Sequence, residues 1–423
     1  SGDLASNCSY GLVSSFVLLY LTGTLGLDSA IIGSLMLASK VLDGISDVIF
    51  GTLIDRTHSK LGKARPWMLF GQVGVSLCLF LLFAIPAGST TMQYIYFFIV
   101  YTALNAVFYT ANGIAYSSLV ALITKNNNER VQLGSFRFMF TVVTNIFMGF
   151  AVTGMVEKFG SGAAGWRTTA LIFAIVGLVV NIISCLAVKE LPEEELSGNT
   201  SEAAEEGKAV AEEKKHGFAE TAKILVHNKY YLMILAIYIV YYIMSNLTTG
   251  AGVFCATYYW GDGSLLGQFS MMKMFPVIIA LAIAPVLIKK TGSMQKVNFW
   301  GYAISSVLGI PMIYFAMQKN LSMFLLFMFI KGIFAGTLSG SLNALIAEAS
   351  GYTTRTTGIH MDGMMYSCSS LGVKVGGGIG TAAVGWLLKL GGFVGTATVQ
   401  SESAIRMIFN LYITFPFVIG IVM

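Results

Sequence analysis

The stretch Lys40-Val41-Leu42-Asp43-Gly44-Ile45-Ser46-Asp47 decides the fold, because it puts three charges inside the apolar run 31–54. Steps of three and four residues nearly complete a helical turn, so positions 40, 43 and 47 share one face. The run is long enough to cross a bilayer as a helix. Counted from Ile31 at about 1.5 Å per residue, Asp43 lies roughly 18 Å in, near the midplane. An ionised group facing lipid at that depth costs several kcal/mol, so this stripe is expected to face a bundle interior or a water-filled path.

Working outward, the composition agrees. The 423 residues are 55% hydrophobic and 11% charged, with mean hydropathy +0.73. A soluble chain carries about a quarter charged residues, so an integral, multi-pass membrane protein is expected. The net charge of +5 follows from basic residues in loops and does not point to nucleic acid. Cys8, Cys78, Cys185, Cys255 and Cys368 are scattered through apolar segments without pair spacing, so no metal or redox motif is read from them. The start at Ser1 without an initiator Met, and the stop inside an apolar run, predict further residues at both ends.

Runs of roughly 20 apolar residues predict about twelve transmembrane helices. The first six cover 3–25, 31–55, 67–85, 94–123, 136–156 and 168–188. The second six cover 230–259, 265–288, 299–316, 323–349, 361–390 and 405 to the end. Between them, 189–229 is rich in Glu, Lys, Ala and Ser and reads as a solvated linker with a short interfacial helix at 218–226. The expected organisation is an N-terminal six-helix bundle at 1–188, a middle linker at 189–229 and a C-terminal six-helix bundle at 230–423. Two sets of six around a polar middle loop form the major facilitator layout.

Loop charge sets the expected sidedness. Arg56, Lys60, Lys63, Arg65, Lys125, Arg130, Lys289, Lys290, Lys296 and Arg355 fall on one side, and Lys158, Arg167, Lys319, Lys389 and Arg406 on the other. The richer side is cytoplasmic by the positive-inside rule, which puts both termini and the linker in the cytoplasm. Leu53-Ile54-Asp55-Arg56-Thr57 and Leu287-Ile288-Lys289-Lys290-Thr291 leave the second helix of each half, a short repeat that supports two related halves.

Asp43-Gly44-Ile45-Ser46-Asp47 is followed by Gly51, Asp55-Arg56 and Lys60-Leu61-Gly62-Lys63-Ala64-Arg65-Pro66-Trp67. Gly2-Asp3 with Asn7, then Ile114-Ala115-Tyr116-Ser117-Ser118-Leu119 with Glu129-Arg130, then Thr357-Gly358, Asp362-Gly363, Tyr366-Ser367 and Lys374 come in the same order as in one known group. The chain thereby resembles the glycoside–pentoside–hexuronide:cation symporter family. The resemblance implies two six-helix bundles around a central cavity, and inward movement of a sugar or glycoside together with Na⁺, Li⁺ or H⁺. It also implies that Asp43 and Asp47 form the cation site and that Lys374 lies beside it. At the positions where the family's melibiose-transporting members hold sugar with acidic side chains, this chain has Asn7 and Gly113, with Asn112 adjacent. Ser117 stands where they have an aromatic. The Gly2-Asp3…Asn7 start is closer to the branch that carries glucuronides and pentosides.

The chemistry of the residues is compatible with that. Two carboxylates one turn apart offer oxygens to one hard cation, so Na⁺ is expected at Asp43 and Asp47. The same pair is suited to a proton, since neighbouring carboxylates resist both ionising. Lys40 and Lys374 are expected to balance them when no cation is bound. A packing role through ion pairs alone is the alternative. Sugar recognition needs aromatic platforms and amide partners, and the candidates are Asn7, Tyr10, Tyr109, Asn112, Tyr116, Asn246, Asn343 and Trp386, with Tyr242 beside them. Lys273 and Lys331, if both face the cavity, make its C-terminal half cationic, which suits a uronide. For each aromatic, packing against a neighbouring helix is the competing reading. Asp55, Arg56, Arg137, Glu348, Arg355 and Asp362 are expected to form inner-face ion pairs that break as the halves rock.

No catalytic residues and no cofactor beyond the coupling ion are expected. His58, His216, His227 and His360 lie at loops or helix ends, and no nucleophile elbow, metal motif or Walker motif is present, which argues against an enzyme or a nucleotide-driven pump. A cation-coupled lysolipid transporter of the same fold is the alternative function. Expected partners are a small sugar or glycoside, a cation and membrane lipid, in a bacterial cytoplasmic membrane.

Overall fold

The computed structural model describes residues 2–57, 59, 61–124, 126–160, 162–191, 228–357, 362–397 and 399–423. The regular structure in them is helical. Eleven spans among these residues are long and apolar enough to cross a membrane. The charged α2 (Ser29–Asp55), at 27 residues, lies beside them and is long enough for another.

The helices in order are α1 (Gly2–Leu19), α2, α3 (Arg65–Leu82), α4 (Thr90–Thr102), α5 (Thr110–Ile123), α6 (Asn127–Lys158) and α7 (Gly162–Ala187). They are followed by α8 (Lys229–Phe254), α9 (Leu265–Thr291), α10 (Met294–Met317), α11 (Leu321–Thr357), α12 (Asp362–Leu390), α13 (Glu402–Phe409) and α14 (Phe415–Val422). The run expected at 94–123 is one span in two phases, because the π-helical Ala103–Tyr109 joins α4 to α5. Further π-helical turns occupy Tyr20–Thr24, Cys255–Tyr259 and Asn410–Thr414. The linker residues 192–227, including the interfacial helix expected at 218–226, lie outside the described residues.

Local chemistry sets the ends. Asp28 caps α2 by accepting from the Ala30 and Ile31 N–H groups, and Ser89, Ser293 and Ser401 cap α4, α10 and α13 in the same way. Each cap satisfies donors that have no partner within the helix. Along α3 the burial is that of a membrane helix. Phe70, Val73 and Leu77, spaced three and four apart, are exposed, while Gln72 and Ser76 are buried. Apolar side chains face outward and polar ones inward because lipid is the solvent.

The chain divides into two compact units that do not follow the expected halves. One comprises 1–192, 246–271 and 378–412, and the other 193–245, 272–377 and 413–423. In the first, α1 packs on α6 and α7, α3 on α5 and α7, and α2 on α4 and α5. Late segments join this unit because small residues let backbones meet: a Cβ on Gly33 would stand 2.7 Å from the Ala382 carbonyl oxygen, and one on Gly149 2.8 Å from the Gly267 Cα. In the second unit, α10 lies along α11, and Tyr231, Ile234 and Tyr238 of α8 pack with Leu338, Leu342 and Ile346 of α11 and with Tyr302 of α10.

Candidate functional site

Asp43 sits on the buried face of α2, 8% exposed. Its two oxygens face different partners. The Thr110 hydroxyl donates to Oδ1 at 2.6 Å, and the Lys40 ammonium lies 3.4 Å from Oδ2. Thr110 is the first residue of α5, and the π-helical turn before it sets its rotation. That turn also leaves the Asn105 carbonyl 2.9 Å from the same hydroxyl. A hydroxyl has one proton, so Thr110 has two acceptors to choose between. When it donates to Asn105, its oxygen lone pairs and Asp43 Oδ1 are both available to a cation. Asp47, one turn on, is half-buried. Ser46 bonds back to the Asp43 carbonyl at 2.9 Å.

Lys40 links this carboxylate to aromatic residues. Tyr10 and Tyr101 lie in its electrostatic neighbourhood together with Asp43. Tyr10 stacks on Tyr109 with ring centroids 5.6 Å apart and planes inclined at 27°. The expected residues Lys40, Asp43, Tyr10 and Tyr109 are thus brought together.

A second polar cluster joins α1, α5 and α6. The Tyr116 hydroxyl donates to Asp3 Oδ2 at 2.7 Å, Arg137 Nε donates to the same oxygen at 3.1 Å, and the guanidinium carbon lies 4.3 Å above the Tyr116 ring. One turn along α1, the Asn7 amide donates to the Asp3 carbonyl at 2.7 Å and to Thr141 at 3.1 Å, and accepts from Asn145 at 3.4 Å. Arg137, grouped from sequence with the inner-face charges, is held by Asp3 beside the expected sugar residues Asn7 and Tyr116.

Asn112 is placed elsewhere. It is 1% exposed, packs on Gly71 and donates to Gln72 Oε1 at 2.9 Å, with Asn181 3.4 Å from the same oxygen. Its amide fastens α5 to α3 and α7, as buried amides in membrane helices do. Trp386 of α12 donates from Nε1 to Ser34 Oγ of α2 at 2.9 Å. Asn246 is half-buried on α8.

Lys273 and Lys374 are half-buried in the second unit. Lys374 is flanked by Gly372 and Gly376, which press on Tyr238, Ile239 and Tyr242 of α8. Glu348 accepts from Gln295 of α10 at 2.6 Å. Arg56 and Arg355 are exposed at the ends of α2 and α11. Asp55, Asn343 and Asp362 lie on helices, but their side chains are outside the described part.

Two arrangements have no counterpart among the expected residues. Lys389 Nζ lies 2.5 Å from Asp28 Oδ2, and the Ser29 hydroxyl donates to the Gly385 carbonyl at 2.9 Å. Burial pushes the Asp28 carboxyl up, but hydrogen bonds from the Lys389 ammonium and from the Ala30 and Ile31 N–H groups outweigh it and hold the pKa below the usual carboxylate value. Glu190, just beyond α7, accepts from the backbone N–H groups of Lys63, Ala64 and Arg65 at 2.7, 3.0 and 3.0 Å. It therefore caps the start of α3. Asp28 is legible as a capping residue before an apolar run, but its ion pair is not.

A bundle of membrane-spanning helices with buried, internally paired charges defines a multi-pass membrane transporter. The family model for MFS/sugar transport proteins matches residues 1–423, and the chain belongs to that family, in its glycoside–pentoside–hexuronide:cation branch. It is a transporter and not an enzyme. Curated relatives include an isoprimeverose transporter of Lactiplantibacillus pentosus, 27% identical with 98% of this chain and 84% of the relative covered. A glucuronide carrier protein homolog of Escherichia coli strain K12 is 23% identical, with 93% and 82% covered. Among solved structures, the nucleoside transporter NupG superposes with TM-score 0.62 at 13% identity, covering 100% of this chain and 96% of that one. That likeness bears on the fold alone.

Proposed function

We propose that this chain moves a sugar or glycoside by symport with Na⁺ or H⁺, and that Asp43, Thr110 and Asp47 hold the coupling ion. The observation that carries the reading is a buried carboxylate in a membrane helix, with a hydroxyl at 2.6 Å on one oxygen and an ammonium at 3.4 Å on the other. Relatives named as an isoprimeverose transporter and a glucuronide carrier homolog support a glycoside as the cargo.

The coupling follows from charge. Without a cation, Lys40 balances Asp43. A cation or proton on Asp43 competes with Lys40 and frees its ammonium beside the Tyr10–Tyr109 pair, where a sugar ring would stack. Cargo and ion then raise each other's affinity by linkage. Asn7, Tyr116 and the Asp3–Arg137 pair border the same side of α1 and supply hydrogen-bonding groups. The distribution of basic loop residues supports an outer position for the Asp28–Lys389 end. With Ser29–Gly385 and Trp386–Ser34, that pair forms the closed outer end in an alternating-access cycle.

The test is uptake of labelled glycosides into proteoliposomes with Na⁺ and pH gradients imposed separately. Gradient-driven accumulation in the parent and its loss in Asp43→Asn, with the size-exclusion profile of the purified variant unchanged, is the expected result. Undiminished accumulation in Asp43→Asn would overturn the cation assignment.

A further inference from the structure

Asp3, Tyr116 and Arg137, from α1, α5 and α6, close a triangle of side chains. The Tyr116 hydroxyl donates to Asp3 Oδ2 at 2.7 Å. Arg137 Nε donates to the same oxygen at 3.1 Å and lies 3.3 Å from Oδ1. The guanidinium carbon stands 4.3 Å from the Tyr116 ring centroid, within the range of a cation–π contact. Gly2 adds a further contact: a Cβ there would overlap the Tyr116 ring, so the α1 backbone itself is laid against it. The hydroxyl proton of Tyr116 is thus given to Asp3, and its ring is taken up by the cation and by the helix.

Arg137 is engaged only in part. A guanidinium carries five N–H donors in one plane, and the bonds to Asp3 use the one on Nε. Among the described residues the terminal nitrogens of Arg137 bond to no protein atom. The pair is also more open at that end, with the Arg137 side chain 29% exposed and Asp3 12%. A guanidinium held through Nε and stacked on a ring has both its plane and its rotation within that plane set. Its remaining donors then point in fixed directions. A free arginine would surrender that freedom only on meeting a ligand, at a cost in affinity. Here it is surrendered on folding, and the adjacent carboxylate offsets the cost of keeping the charge inside a membrane protein.

We propose that Asp3 and Tyr116 are positioning residues: they preset the guanidinium of Arg137, and of the three only Arg137 meets the cargo. This rests on the transport reading above and narrows one part of it. Tyr116, a sugar candidate by sequence, offers the cargo no stacking face and acts on it through Arg137.

The test separates anchoring from cargo contact. Anchoring is read without cargo, from the rate at which phenylglyoxal modifies Arg137 in the purified protein, followed by peptide mass spectrometry. Asp3→Asn should raise that rate several-fold and Asp3→Glu should restore it in part; an unchanged rate overturns the anchoring. Cargo contact is read by titration calorimetry and gradient-driven accumulation with the 4-nitrophenyl β-glucoside, β-galactoside, β-xyloside and β-glucuronide. For a probe that the parent binds, Asp3→Asn should weaken binding about ten-fold, a difference of about 1.4 kcal/mol. Tyr116→Phe, which keeps the ring, should weaken it less. In an Arg137→Gln background Asp3→Asn should have no further effect, and in the parent a bound probe should slow modification of Arg137. The proposal is overturned by an Asp3→Asn protein that binds as tightly as the parent, by an equal penalty with and without Arg137, or by a bound probe that leaves the modification rate unchanged. If Asp3→Asn loses the parent's size-exclusion profile, Tyr116→Phe carries the same test in the same direction. A parent that neither binds nor accumulates any probe overturns the transport reading and the cargo contact with it, while a faster rate in Asp3→Asn keeps the anchoring. Accumulation by the parent with no effect of Asp3→Asn on rate or binding does the reverse.

Discussion

In the cation site proposed above, Thr110 is the residue on which binding turns. Its hydroxyl lies between a carboxylate and a backbone carbonyl, 2.6 and 2.9 Å away, so it can serve as donor before binding and as ligand after it. Thr110→Val keeps the shape and removes both roles. A hydrogen bond to a charged group is worth about 1.5–3 kcal/mol, so the cation concentration for half-maximal uptake should rise about ten-fold or more. The glycoside affinity measured at saturating cation should stay the same. Titrating uptake against Na⁺ and against pH checks this, and the ion whose curve moves is the coupling ion. The sequence pointed to Asp43 and Lys40 because misplaced charge in an apolar run is visible one residue at a time. It did not point to Thr110, a common residue type whose importance depends on how far a distant helix is rotated. Asn112 shows the same limit of a sequence. A buried amide must find partners, but a sequence does not show whether they come from a ligand or, as here, from Gln72 and Asn181 on α3 and α7.

At the scale of elements, the entry to α3 is tied to the exit from α7. Glu190 accepts three N–H groups at the turn that contains Gly62 at φ +106°, a left-handed conformation open to glycine. Arg65 Nε donates to the Cys185 carbonyl at 2.9 Å and adds a second tie. A negative charge on a helix start favours the dipole as well as the bonds. Glu190→Ala should cost about 1–2 kcal/mol locally and speed amide exchange at 62–68, while α1 and α5 keep their protection. Hydrogen exchange by mass spectrometry resolves this, and uniform protection in the variant would show that the cap is idle. Element existence was legible throughout, because lipid demands long apolar runs. Element ends were less so: the third helix starts at Arg65 and not at 67, since the capping carboxylate that begins it comes from residue 190.

At the scale of the whole molecule, the Asp28–Lys389 pair joins two ends of the sequence. Lys389 is 58% exposed, so water screens the pair and it contributes little by itself; it acts with Ser29–Gly385 and Trp386–Ser34. Its pH dependence has a definite sign. A carboxyl held below its ordinary value contributes stability that is fully present above that ordinary value, 3.8. The contribution is lost as pH falls through the lowered value. Closure of this end should therefore be insensitive to pH near neutrality and loosen only in strong acid. Thr396, which lines the small pocket beside Asp28 and Lys389, offers a reporter. In Thr396→Cys, labelling by an impermeant thiol reagent should rise in acid, and adding Asp28→Asn should raise the neutral-pH rate and flatten the profile. The pairing was not legible from sequence, where Lys389 counts only as an outer-side charge. It requires α12 and α2 to meet, which Gly33 and Gly385 permit by having no side chain.

The π-helical turn at Ala103–Tyr109 has one more consequence. It holds α5 in angular phase with α2, as an escapement holds a clock hand. Deleting a single residue from α4 just ahead of it, with the turn itself kept, would swing Thr110 by about 100°, pointing its hydroxyl away from Asp43. Such a shortened protein should insert and fold, keep every residue of the proposed cation site, and yet carry cargo only downhill. Counterflow exchange without accumulation is the measurement that would reveal it. On the proposed ion site, the helical phase set at 103–109 is as much a part of coupling as any side chain.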